Sequence, residues 1–135
     1  MLTVDVLIPV YRPGKELTEL LDRLERQSCS AGKVILMNTE KACFPEELAE
    51  RHKNLEIHHL TKAQFDHGGT RDAGIQKSSA DIVICMTQDA VPADRYLIRT
   101  LLEAFDDPEV GAAYARHLPK KGCNGVERYT RSFNY

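Results

Sequence analysis

The chain has 135 residues, 42% of them hydrophobic and 28% charged, with a formal net charge of -2. That length suits one domain with a real core, and the composition is that of a soluble globular protein, which excludes disordered and fibrous classes. No apolar run approaches the ~20 residues that span a bilayer, no signal-peptide pattern opens the chain, and the charge gives no reason to expect a nucleic-acid partner.

The first predicted element is a strand from Thr3 to Tyr11, TVDVLIPVY. Its dense apolar run suits a central parallel strand covered on both faces. Pro9 has no N–H to give a ladder, so pairing should loosen there. Arg12-Pro13-Gly14 breaks the chain, and an amphipathic helix follows from Lys15 to Gln27, with Leu17, Leu20, Leu21 and Leu24 on one stripe. Lys33 to Thr39 reads as a second buried strand that runs into Asn38-Thr39-Glu40. A short helix is expected after Pro45, and Leu55 to Leu60 is a third strand whose alternation predicts weaker burial.

The stretch Phe65 to Gly74, FDHGGTRDAG, leads into a helix ending near Ser79. Its glycines permit positive φ and close approach, and the helix start with Arg71 one turn in suits a phosphate. A tight turn with a solvated arginine is the plainer alternative.

Ile82 to Met86 predicts a strand buried on both faces, followed by Thr87, Gln88, Asp89 and Pro92. Ligands in open α/β sheets lie beyond the carboxyl ends of such strands, so Asp89 is placed to meet a ligand or a metal. It could equally cap the next helix. That helix is predicted over Ala93 to Phe105, with Tyr96, Leu97, Thr100, Leu101, Ala104 and Phe105 inward. Val110 to Leu118 is a predicted fifth strand, and from Pro119 the pattern is lost. Four cysteines without CxxC spacing argue against a disulfide or zinc scaffold, and a cytoplasmic location is expected. Cys85 should behave as a buried hydrophobe. Strands alternating with helices predict an α/β fold, a mainly parallel sheet with helices on both faces.

Four segments in order, DVLIPVYRP, FDHGGTRDAG, TQDAVP and ERYTRSFNY, make the chain resemble the N-terminal part of family 2 inverting glycosyltransferases, most of all bacterial rhamnosyltransferases. The resemblance implies the Rossmann-like nucleotide-binding half of a GT-A fold over residues 1–118, and the start of an acceptor-side segment over 119–135. It implies that Pro9, Val10 and Tyr11 line a nucleobase pocket. Asn38 and Glu40 stand where the family has an aspartate contacting base or ribose. Gly69, Arg71 and Asp72 fall near base and diphosphate. Thr87, Gln88 and Asp89 occupy the DxD position, with Asp89 as ligand to a divalent metal (Mg or Mn), Thr87 replacing the first aspartate and Ala90 a frequent further one.

The same resemblance implies a nucleoside diphosphate sugar donor, a glycan or lipid-linked acceptor, and a place at the inner face of the cell membrane. The general base belongs downstream, so no catalytic residue is expected here; this part alone should be inactive and open to self-association. A nucleotidyltransferase would show a glycine- and basic-rich loop after the first strand, and a flavodoxin-like module acidic residues there. Tyr11-Arg12-Pro13-Gly14-Lys15 offers neither.

Overall fold

The computed structural model describes residues 1–119, 121, 122, 125 and 126. The chain divides into two compact units, Met1–Arg99 and Thr100–Tyr135. The closing motif Glu127 to Tyr135 lies outside the described residues.

In the first unit, β1 (Val4–Tyr11), β2 (Val34–Thr39), β3 (Leu55–Leu60) and β4 (Ile82–Cys85) alternate with α1 (Lys15–Glu25), α2 (Glu47–Arg51) and α3 (His67–Gln76). The sheet order is β3-β2-β1-β4 and every pairing is parallel. From β1 to β3 the chain steps one way; it then crosses back over both neighbours to place β4 on the far side of β1. Right-handed crossovers in opposite directions put α1 and α3 on opposite faces. The reversal falls between β1 and β4, whose carboxyl ends form the crevice where such sheets take ligands.

The two faces can be read from the register. Leu7, Ile35 and Met37 form a buried cluster with Leu60 and Val83 against it. This face carries α3, which approaches so closely that a Cβ on Gly74 would collide with Leu7 and stand 3.2 Å from Met37 Cγ. Val4, Val6, Ile8, Val10, Val34 and Leu36 point the other way and are equally buried. The leucine stripe of α1 is fully inward as its spacing predicts, with Leu17 and Leu20 at 0% exposure. The helix is shorter than expected, ending at Glu25. Gln27 instead turns inward, its Nε2 donating to the Asp94 carbonyl at 2.8 Å and its Oε1 accepting the Ile98 N–H at 3.1 Å.

Three expectations are corrected. β4 is not buried on both faces: among the described residues it pairs with β1 alone, Ile84 is its one buried residue, and Cys85 is exposed. The helix predicted over Ala93–Phe105 begins only at Leu97, because Asp94 Oδ1 accepts the Tyr96 N–H in a preceding turn. Helix α4 (Leu97–Glu103) therefore buries Ile98, while Tyr96 is 47% exposed. In the second unit, Val110–Leu118 forms no strand, and Tyr114 and Leu118 are exposed. Gly111, Ala112 and Ala113 offer too little apolar area to offset the entropy of ordering an extended segment.

Candidate functional site

The site is built where β1 and β4 part. Parity along β1 decides which neighbour each backbone group faces. Val6 donates toward β2 through Lys33, and the Leu7 carbonyl accepts Met86 N–H on the β4 side at 2.9 Å. Pro9 and Tyr11 share the parity of Leu7, so the missing N–H of Pro9 falls on the β4 side, beyond the end of that ladder. Pairing to β2 continues to Tyr11↔Thr39, so the strand loosens on one edge alone. Tyr11 would then be left without a partner. Instead the Gln88 side-chain amide accepts the Tyr11 N–H at 2.8 Å and donates to the Tyr11 carbonyl at 3.0 Å, acting as one more residue of strand.

Gln88 lies in a turn closed by the Ala90 N–H on the Thr87 carbonyl at 3.1 Å. The same turn presents Asp89, exposed and, among the described residues, without hydrogen bond or ion pair. It does not cap a helix, because α4 starts only at Leu97. Downstream, the Arg23 guanidinium holds the Pro92 carbonyl at 2.9 Å and the Ser28 N–H holds the Arg95 carbonyl at 2.8 Å, so the segment after the turn is anchored on α1 and its exit.

On the other side of β1, Arg12, Glu40, Cys43, His59, Thr61 and Lys62 line a cleft of about 600 Å³ at the ends of β1, β2 and β3. Glu40 pairs with Arg12 at 3.5 Å and with Lys62 at 3.3 Å. Both cations also stand over the Tyr11 ring, at 5.2 and 5.7 Å from its centroid. Partial desolvation pushes the Glu40 carboxyl up, but the hydrogen bond and charge of Lys62, with Cys43 and Arg12, outweigh it, so the net direction is down. Lys62 is held charged by its attraction to Tyr11 and then Glu40. Behind this wall Asn38 is fully buried, with Nδ2 3.0 Å from His59 Nδ1 and Oδ1 without a partner.

The start of α3 is organised differently from the sequence expectation. Gly68 and Gly69 are helical, and the glycine with positive φ among the described residues is Gly122. Asp66 is the N-cap and its carboxylate accepts the Gly69 N–H at 2.6 Å. A side chain at Gly69 would place Cβ 2.9 Å from that carboxylate, so the glycine makes room for the cap. The helix start thus carries its own anion. Arg71 folds back to donate to the His67 carbonyl at 2.7 Å, and partial desolvation holds the Cys85 thiol up, opposed only in part by the Arg71 charge. Asp72 is exposed.

Of the residues singled out from the sequence, Tyr11 and Glu40 meet around the cleft, and Thr87, Gln88 and Asp89 form the turn beyond β4. Gln88 joins the two groups through Tyr11. Pro9 and Val10 support the strand end, Val10 being 2% exposed. Arg12, Lys62 and Asp66 were not singled out, and His59 reads from the sequence as a surface or core-edge residue rather than a ligand. Asp66 could have been found as an N-cap signal before a helix start; the other three come together only through the sheet order.

A parallel sheet whose strand order reverses beside β1, with helices between its strands, is a Rossmann-like α/β fold. Residues 5–134 match the family described as Glycosyl transferase family 2, and the chain belongs to that family. It is 34% identical over 133 residues to the O-antigen chain rhamnosyltransferase RfbN of Salmonella typhimurium, covering 98% of this chain and 42% of that protein. It is 26% identical to the O-antigen chain rhamnosyltransferase WbaN of Salmonella anatum, again covering 42% of that protein. The chain thus spans less than half the length of these relatives. Its fold matches that of S. aureus TarS 1–349 with a TM-score of 0.66 at 19% identity, over 87% of this chain and 38% of that one. This is the GT-A architecture.

Proposed function

We propose that the carboxyl ends of β1, β2 and β4 bind the nucleoside diphosphate sugar of a hexosyl transfer that inverts the anomeric centre. The observation that carries this reading is the Gln88–Tyr11 clamp, which fixes an exposed, unpaired Asp89 beside the strand ends of the switch point. TarS 1–349 has been solved with UDP-GlcNAc and with UDP, which supports a sugar nucleotide as the ligand class. The names of the two Salmonella relatives support rhamnose as the sugar and O-antigen synthesis as the setting.

In this reading Tyr11 and Glu40 contact base and ribose, with Asn38 buried behind them and Pro9 and Val10 supporting the strand end. Gly69, Arg71 and Asp72 lie toward the diphosphate, and Gln88 positions the turn rather than touching ligand. A divalent cation fits the donor set: Asp89 has an unengaged carboxylate two residues after the Thr87 hydroxyl, both oxygen donors that suit Mg²⁺ or Mn²⁺. One carboxylate is a weak anchor, so most of the coordination comes from diphosphate and water. When bound, the ion neutralises the charge that grows on the leaving diphosphate. Arg71 is positioned to add to that neutralisation once it leaves the His67 carbonyl.

The acceptor is a glycan or lipid-linked glycan met at the inner face of the membrane, and the base that deprotonates it lies outside these residues. Residues 1–118 then bind donor, 119–135 begin the acceptor side, and this part alone binds without transferring. Among the described residues no helix is long and apolar enough to cross a membrane. Calorimetric titration with UDP, dTDP and GDP, with and without Mn²⁺, tests the reading. One nucleotide should bind in a metal-dependent way that Asp89→Ala abolishes. Absence of binding to all three under both conditions would sink it.

A further inference from the structure

We propose a second metal site, for a borderline divalent ion of the zinc type, formed by Asp22, Glu25 and His52. One ligand atom from each of the three lies within 4.8 Å of the others. Asp22 and Glu25 are one turn apart on α1, and His52 is the residue that ends α2. Both helices run back from the strand ends that carry Asp89. The cluster therefore sits at the amino end of the sheet, away from the proposed donor site.

Carboxylates on a helix face are ordinary; the imidazole is not. His52 is 3% exposed, and its Nε2 is buried without a hydrogen-bond partner. That nitrogen faces Asp22 Oδ1 at 3.6 Å, while Nδ1 faces Glu25 Oε2 at 3.3 Å. Tetrahedral ligands at zinc-like bond lengths stand about 3.4 Å apart, so Asp22 Oδ1 and Nε2 are already near ligand spacing, and Glu25 must turn from Nδ1 toward the same nitrogen to complete the set. Asp22 Oδ2 is meanwhile held by Arg51 Nη2 at 3.2 Å, which orients the carboxylate with Oδ1 inward, as supporting hydrogen bonds do around metal ligands. An imidazole nitrogen selects zinc-type ions over Mg²⁺ or Ca²⁺, and two carboxylates against one arginine leave the pocket negative. Glu25 is the solvent side of the set, leaving room for a water as the remaining ligand.

Titration of the reduced chain with Zn²⁺ should show one equivalent bound and a raised thermal midpoint. Glu25→Gln and His52→Gln should each weaken binding at least about tenfold, and Asp89→Ala should not. Glu25 is exposed, so its variant reads the site even if His52→Gln fails to fold. Co²⁺ should give visible ligand-field bands without a thiolate charge-transfer band. The proposal is overturned if the chain binds no Zn²⁺, if Glu25→Gln binds it as tightly as the parent, if binding is lost in Asp89→Ala instead, or if a thiolate band shows that a cysteine holds the ion.

Discussion

Arg12 and Glu40, at the ends of adjacent parallel strands, both have left-handed backbones, with φ of 45 and 67, and they pair with each other at 3.5 Å. Among the described residues they are the non-glycine positions with positive φ. Such backbones cost about 1–2 kcal/mol each and gather at ligand sites. An exposed ion pair returns at most about 1 kcal/mol, so the pair does not by itself account for the conformation. The strain lies beside Tyr11, at the mouth of the proposed nucleobase side.

Replacing Arg12 separates strain from contact. Arg12→Ala and Arg12→Gly both remove the ion pair and the cation over Tyr11, but only glycine relieves the left-handed backbone. Arg12→Gly should be more stable than Arg12→Ala by about 1 kcal/mol in urea unfolding, the reverse of the usual order. Equal midpoints would show that φ relaxes freely there.

The Gln88 clamp predicts a local loss. Gln88→Ala leaves the Tyr11 N–H and carbonyl to water and should cost about 1 kcal/mol. Amide exchange should speed up at Tyr11 while Ile8, deep in the sheet, stays protected. Unchanged exchange at Tyr11 would show that the side chain is incidental.

Gly74 should be intolerant of even one methyl group. Gly74→Ala drives Cβ into Leu7 and against Met37, and overpacking of this kind costs about 1–3 kcal/mol. The thermal midpoint should fall by several degrees although alanine favours helix; a rise would mean that α3 shifts outward cheaply.

Acid should weaken the fold through two carboxylates. Asp81 is held down by the Thr3 N–H and then its hydroxyl, and Glu40 has a net downward direction from Lys62 against desolvation. Groups depressed on folding stabilise above their unfolded pKa and lose that contribution as pH falls through the folded one. Stability should therefore drop below about pH 4, and Asp81→Asn should flatten that decline. The same slope in both proteins would remove Asp81 from the account.

Much of the first unit was legible in the sequence because its signals are local. The leucines of α1 and the apolar runs of β1 and β2 state their period and burial directly. Alternation in Leu55–Leu60 marked β3 as less buried, and the structure leaves most of it half-buried, at the sheet edge. β4 misled because an apolar run looks alike at an edge and in the centre. α4 was read out of phase because Asp94, one of several polar residues before it, delays its start. Of the residues named from motifs, Pro9, Val10, Tyr11, Asn38, Glu40, Thr87, Gln88 and Asp89 lie at or just beyond strand ends, and Gly69, Arg71 and Asp72 lie on α3. Arg12, Lys62 and His59 were not named as site residues, since nothing in a linear pattern says that residues around positions 12, 40 and 60 share one cleft. Left-handed φ at Arg12 and Glu40 was equally hidden, because neither is a glycine.

The register of β4 also bears on the order in which the chain folds. Val4 pairs with Ile82, whereas Val6 meets Val34 across a far shorter stretch of chain. With every pairing among the described strands parallel, no hairpin is available to start assembly, and the shortest loop is the one that joins β2 to β3 through α2, followed by the one that holds α1. The nucleus should therefore grow from β2–α2–β3 and take in β1, with β4 the last strand to dock. Substitutions in β4 would then speed unfolding and leave the folding rate nearly untouched. A nascent chain would hold its half of the proposed donor site well before it held Asp89.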